Sequence, residues 1–166
     1  MKQQYPFRVP HVLLVEDNPG DILLVQESFR DLGRPYLLSV AKDGLEAISF
    51  MARIGKTADA TRPDLILLDL NLPKISGHDV LAHLKGNLNF QTIPVVILSS
   101  SCAPSDIEKA YGLAANCYIC KPAGLDEFFH LMKTVQEFWL GLVRLSDPEP
   151  TKCMACAETL PDSWSE

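Results

Sequence analysis

Five side chains of complementary chemistry stand where short apolar runs of the sequence end. They are the acid pair Glu16 and Asp17, the acid Asp69, the hydroxyl of Ser99 and the ammonium of Lys121. Three carboxylates gathered at one place raise one another's pKa unless a cation intervenes. Oxygen donors that leave room for water and phosphate oxygens suit Mg²⁺, which prefers octahedral oxygen coordination and gives up its waters reluctantly. An ionised Asp beside such an ion can attack an electrophilic phosphorus. The ion and Lys121 would then neutralise charge on the transferring phosphoryl oxygens.

That chemistry requires elements that deliver distant residues to one edge. Apolar runs bounded by turn residues alternate with stretches of helical period, the pattern of repeated βα units around a parallel sheet. Strands are predicted over 11–16, 36–41, 64–69, 94–99 and 117–120, and helices over 19–32, 45–54, 77–85, 104–113 and 125–143. The run Leu65-Ile66-Leu67-Leu68 is apolar throughout, as a strand covered on both faces should be. In the first helix Asp17 or Asn18 is the expected N-cap, Pro19 lies in the first turn, and Ile22, Val25, Phe29 and Leu32 share a face. Residues 55–63 and 86–93 read as loops. In an open parallel sheet reactive groups collect beyond the carboxyl ends of the strands, and the five chemical residues all fall there.

The 166 residues suffice for one ordinary domain. The expected division is a body over 8–145 and an acidic tail over 146–166, too short and polar for a second core. Of the formal net charge of −6, the tail supplies −4, with five acids against one lysine. No basic cluster suggests a nucleic-acid partner. No run approaches a membrane span or a secretory leader, so cytoplasmic residence is expected. Five cysteines in that compartment argue against a disulfide framework. The spacing Cys117-x-x-Cys120 and Cys153-x-x-Cys156 is like two halves of a zinc site. However, the gap of 32 residues is long, and strand residues three apart face opposite sides, so these are read as separate thiols. His11, His78, His83 and His130 lack any ligand spacing and are read as structural or solvent-facing.

Over about residues 8–145 the chain resembles a bacterial response-regulator receiver domain. The likeness lies in Val15-Glu16-Asp17-Asn18, Leu67-Leu68-Asp69-Leu70-Asn71-Leu72-Pro73, Gly77, Ile97-Leu98-Ser99-Ser100 and Cys120-Lys121-Pro122, and in the intervals of 30 and 22 residues from 69 to 99 to 121. The resemblance implies a doubly wound, flavodoxin-like α/β fold with a five-stranded parallel sheet in the order 2-1-3-4-5. It implies that Asp69 accepts phosphate from a sensor histidine kinase. It also implies that Asp17, Asp69 and the Asn71 main-chain carbonyl ligate Mg²⁺, with Glu16 acting mainly through water. Lys121 would contact the phosphoryl group, Ser99 would be the switch hydroxyl, and Tyr118 the ring that moves with it. Ser99 stands where Thr is commoner, and Ser100 where Ala or Gly is usual. The segments 55–63, 116–119 and 137–140 further resemble the single-domain regulators associated with bacterial and cyanobacterial phytochromes, which implies a phytochrome as the kinase.

A phosphorylation-dependent interaction module of this kind is not an enzyme with a separate substrate. The alternative on the same resemblance is a degenerate receiver acting as a phosphorylation-independent scaffold. A haloacid-dehalogenase-like phosphatase would need D-x-D-x-T, and Asp69-Leu70-Asn71-Leu72-Pro73 lacks the second Asp and the Thr. A flavodoxin-like cofactor binder would need a Gly-rich cradle where Glu16-Asp17-Asn18-Pro19 stands. In the last helix Leu125, Phe128, Met132, Val135, Trp139 and Leu142 form one apolar stripe, with Leu131, Phe138 and Val143 beside it. That width suggests a homodimer face built from Leu131, Phe138, Trp139 and Leu142.

Overall fold

The computed structural model describes residues 9–30, 33, 35–57 and 60–146. Leu32, most of the acidic tail and, with it, Cys153 and Cys156 lie outside the described residues. Strands β1 (His11–Val15), β2 (Leu37–Ala41), β3 (Leu65–Leu68), β4 (Val95–Ser99) and β5 (Cys117–Cys120) alternate with helices α1 (Pro19–Arg30), α2 (Gly44–Arg53), α3 (Gly77–Gly86), α4 (Pro104–Gly112) and α5 (Leu125–Gln136). All neighbouring strands run parallel, in the order β2-β1-β3-β4-β5. The doubly wound sheet and its order agree with expectation.

The sheet sorts its side chains by parity, as strand geometry requires. Leu13, Val15, Ile66, Leu68, Val95 and Ile97 face one side, where they meet Ala47 and Met51 of α2, Val80, Leu81 and Leu84 of α3, and Ala110 of α4. Val12, Leu14, Leu65, Leu67, Val96 and Leu98 face the other and meet Val25 and Phe29 of α1 and Phe128, Met132 and Val135 of α5. The three central strands are buried along their whole length, whereas β2 and β5 form the partly exposed edges. Asn18 is the N-cap of α1: its Oδ1 accepts from the N–H groups of Gly20 at 2.8 Å and Asp21 at 3.2 Å.

The last helix departs from the expected 125–143. Regular α-helix stops at Gln136, and Glu137–Leu142 continue as a π-helical segment closed by a bond from Val143 N–H to Phe138 C=O. A π turn takes up more residues than an α turn and so rotates the residues beyond it about the helix axis. Within that segment Trp139 packs against the core, as Leu131 does in α5, while Phe138 and Leu142 are 49% and 79% exposed. Leu125, at the other end of the stripe, is also exposed.

The cysteines need a correction too. Cys102, after β4, and Cys120, at the end of β5, form a disulfide pair with a Cα–Cα separation of 5.7 Å, and Cys117 stays free. The pairing arises because Ser99 and Cys120 are register partners of adjacent strands, a proximity that linear spacing does not reveal. It removes Cys120 from any zinc set.

At the amino-terminal edge of the sheet Lys85 donates to the carbonyls of Ile93 at 2.8 Å and Gln91 at 3.2 Å and to Asn116 Oδ1 at 2.9 Å. Asn116 Oδ1 also accepts from Val95 N–H, and Asn116 N–H donates to the Val95 carbonyl, fixing the start of β4 beside the start of β5. At the opposite edge, Gly77 allows α3 to begin against the chain leaving β3, with its N–H bonded to the Leu70 carbonyl at 3.0 Å. A Cβ at Gly77 would overlap the Asp69 carbonyl oxygen and the Leu70 Cα, both backbone atoms. Gly77→Ala is therefore expected to cost about 1–3 kcal/mol, measured as a lower urea midpoint; an unchanged midpoint would contradict this packing.

Candidate phosphoacceptor site

The chain enters and leaves β1 and β3 between neighbours that turn to opposite sides, so their carboxyl ends border the crevice of an open α/β sheet. Glu16 comes directly after β1 and is 2% exposed, and its N–H is tied to the Ala41 carbonyl at 3.0 Å. Asp69 comes directly after β3, is 5% exposed, and is held by a 3.0 Å bond from its N–H to the Val15 carbonyl. Asp17 is exposed at the rim. One oxygen from each of Glu16, Asp17 and Asp69 lies within 4.8 Å of the others. This is an all-oxygen donor set of a size suited to a hard divalent cation. Asn71 is anchored beside it by its N–H, which donates to Asp69 Oδ1 at 3.1 Å.

Lys121 closes the site from β5. Its N–H donates to the Ser99 carbonyl at 2.8 Å, which fixes where the side chain departs. Its Nζ donates to Glu16 Oε2 at 2.6 Å, Asp21 Oδ2 at 2.8 Å and Asp69 Oδ2 at 3.0 Å. Sequence reasoning misses Asp21, because an acid in the first turn of a helix reads as an ordinary partner of the helix dipole. The available signal is its spacing of one turn from Asp17.

Burial alone would lower the pKa of the Lys121 ammonium, but its hydrogen bonds to Asp21 and Glu16 and the charges of Glu16 and Asp69 more than offset that and raise it. The Glu16 carboxyl moves the other way from an ordinary ion-paired acid. Burial raises it above 4.5, and the bond and charge of Lys121 only partly counter this, with Asp69 adding repulsion. One ammonium does not neutralise the acids around it.

Ser99 is fully buried at the end of β4, and its Oγ accepts from Ser101 N–H at 3.2 Å. The Tyr118 hydroxyl donates to the Ser101 carbonyl at 2.8 Å, so the ring is joined to the same loop. Of the expected site residues, the structure thus gathers Glu16, Asp17, Asp69, Asn71 and Lys121 directly, and links Ser99 and Tyr118 through Ser101. Leu131, Phe138, Trp139 and Leu142 lie apart from the site, on α5 and its extension.

The sequence profile of the response regulator receiver domain matches residues 12–133. The chain belongs to this family. Among its relatives is the response regulator Rcp1 of Synechocystis sp., 41% identical over 134 residues that span 81% of this chain and 91% of that one. The crystal structure of the phosphorylated cyanobacterial phytochrome response regulator RcpA is 44% identical, with a TM-score of 0.81 over 84% of this receiver and 100% of RcpA. The Mn²⁺-bound structure of Rcp1 is 40% identical, with a TM-score of 0.79 over 83% of this receiver and 99% of that chain. This receiver is thus related to phytochrome response regulators, in agreement with the resemblance. Among its described residues no helix is long and apolar enough to cross a membrane.

The raised Glu16 carboxyl carries a pH dependence. The folded state holds this proton to higher pH than the unfolded chain, so the resulting stability is full below about 4.5 and is lost as pH rises through the raised value. Without divalent ions, Glu16→Gln is expected to unfold at a higher urea concentration than the parent at pH 7, with the gap closing toward pH 4.5. A parent at least as stable at pH 7 would show that Lys121 fully compensates Glu16.

Proposed function

We propose that this receiver is a phosphorylation switch whose acceptor is Asp69 and whose donor is the phosphohistidine of a sensor histidine kinase of the phytochrome type. The supporting observation is that the Asp69 carboxylate, at the end of β3, stands 3.0 Å from the Lys121 ammonium and within 4.8 Å of two further carboxylates. In the transfer, an Asp69 oxygen forms a bond to phosphorus as the N–P bond of the phosphohistidine breaks, and the departing imidazole keeps the electron pair and gains a proton. Hydrolysis of the resulting acyl phosphate restores Asp69, so the protein turns over no separate substrate.

Glu16, Asp17 and Asp69, with the Asn71 main-chain carbonyl, are the residues to hold Mg²⁺. When bound, the ion neutralises charge on the phosphoryl oxygens and on the acid cluster. Lys121 provides a second, fixed positive charge 3.0 Å from Asp69 Oδ2. The Ser99 hydroxyl, now accepting from Ser101 N–H, turns to donate to a phosphoryl oxygen. Because Ser101 also accepts from Tyr118, that turn shifts the loop and the ring together, as a population shift between two packings. The scaffold alternative is less well supported, since the acid trio and the Lys121 ammonium that the transfer calls for stand together. Receiver 8–145 with an acidic tail over 146–166, in the cytoplasm, remains the organisation we propose.

Incubation with Mg²⁺ and acetyl phosphate should add about 80 Da, one phosphoryl group, to the parent and none to Asp69→Asn. No gain in either with acetyl phosphate or a phosphorylated kinase would favour the scaffold.

The exposed Phe138 and Leu142, with the Phe138 ring set edge-on to that of Trp139 at 5.3 Å between centroids, support the homodimer reading for the α5 extension. Leu131 and Trp139 then act as the packed base of that face. Light scattering should give a dimer mass for the parent and a monomer mass for Phe138→Glu with Leu142→Glu. A parent monomer mass independent of concentration would rule the dimer out.

A further inference from the structure

An ammonium carries three N–H groups, and Lys121 directs one to each of Glu16, Asp21 and Asp69. Two of these acceptors, Glu16 and Asp69, belong to the trio whose oxygens lie within 4.8 Å of one another, and Asp21 does not. The same two carboxylates are therefore wanted by the lysine and by a divalent cation. A cation that drew them away would leave Lys121, whose side chain is 8% exposed, poorly solvated and short of partners. A buried charge stripped of its partners is strongly unfavourable. Ion and lysine would then compete, although the phosphoryl transfer needs both at once.

Asp21 resolves this conflict. It lies on the first turn of α1, with its N–H bonded to Asn18 Oδ1, so a rigid element fixes its position. Its side chain is 29% exposed, against 2% for Glu16 and 6% for Asp69, so its charge is the least costly of the three to keep. We infer that Asp21 is a positioning residue that retains Lys121 when a divalent cation takes Glu16, Asp17 and Asp69. Without it, Lys121 leans wholly on Glu16 and Asp69 and keeps the cation out. This role rests on the cation reading of the trio.

The test is a double-mutant cycle on Mn²⁺ affinity, with free ion monitored by its electron paramagnetic resonance signal. Asp21→Ala is expected to weaken Mn²⁺ binding by roughly tenfold, the scale of contacts that orient metal ligands. Lys121→Met should tighten binding, because the competing ammonium is gone. In the Lys121→Met background, Asp21→Ala should change affinity by less than about twofold, an interaction that only a cycle isolates. Asp21→Glu should restore most of the loss in the parent. Asp21→Asn, which keeps the shape of the side chain, provides the same comparison if Asp21→Ala folds poorly. An equal loss in both backgrounds would mean that Asp21 acts only through its negative charge near the ion, and would overturn the inference. So would an unchanged affinity in both. No Mn²⁺ binding by the parent would instead overturn the cation reading itself, a result distinct from binding that Asp21 does not influence.

Discussion

One ammonium holds together the ends of three strands and the start of a helix. Lys121, from β5, meets Glu16 after β1, Asp69 after β3 and Asp21 in α1, each at hydrogen-bond distance. Three carboxylates against one ammonium leave two negative charges uncompensated, and Asp17 stands beside them at the rim. Ion pairs taken out of water seldom add net stability. Burial raises the Glu16 carboxyl despite its lysine partner, so this set is not arranged for stability. It is an excess of negative charge held in a fixed shape, and a divalent cation is the species that such an all-oxygen set can accept.

The hydrophobic layers make that shape rigid. β1, β3 and β4 are buried along their whole length, with alternate residues locked into one layer or the other. A slip of one residue in any of them would reverse every side chain and move Glu16, Asp69 or Ser99 off the edge. The site is thus as precise as the register of the sheet. Gly77 adds the last constraint, since its missing side chain lets α3 start directly against the backbone of Asp69 and Leu70.

Much of this is legible in the residues. Strands buried on both faces announce themselves as unbroken apolar runs, and turn residues delimit them, so all five strands fall within a residue or so of expectation. The positions of Asp69 and Lys121 come from those strand ends. Three features are not legible, each for a physical reason. The π-helical segment at Glu137–Leu142 keeps an apolar composition that a 3.6-residue period reads as one stripe, although the backbone has rotated. The Cys102 and Cys120 pair depends on which strands are neighbours. Asp21 depends on where the end of a flexible four-carbon side chain, 100 residues distant, comes to rest.

The lysine at the far edge of the sheet has a mechanical consequence. Lys85 and Asn116 clamp the starts of β4 and β5 to each other and to the preceding turn through Ile93, Gln91 and Val95. Away from that base, the Ser99 and Tyr118 side chains of the same two strands are both bonded to the loop residue Ser101. The pair is therefore tied at its base by the Lys85 and Asn116 bonds and at its tip by the bond from Lys121 N–H to the Ser99 carbonyl. A displacement of the Ser99 side chain therefore cannot be absorbed by sliding the two strands past each other. The bonded neighbours open to it are the Ser101 loop and, through the Ser101 carbonyl, the Tyr118 ring on the edge strand.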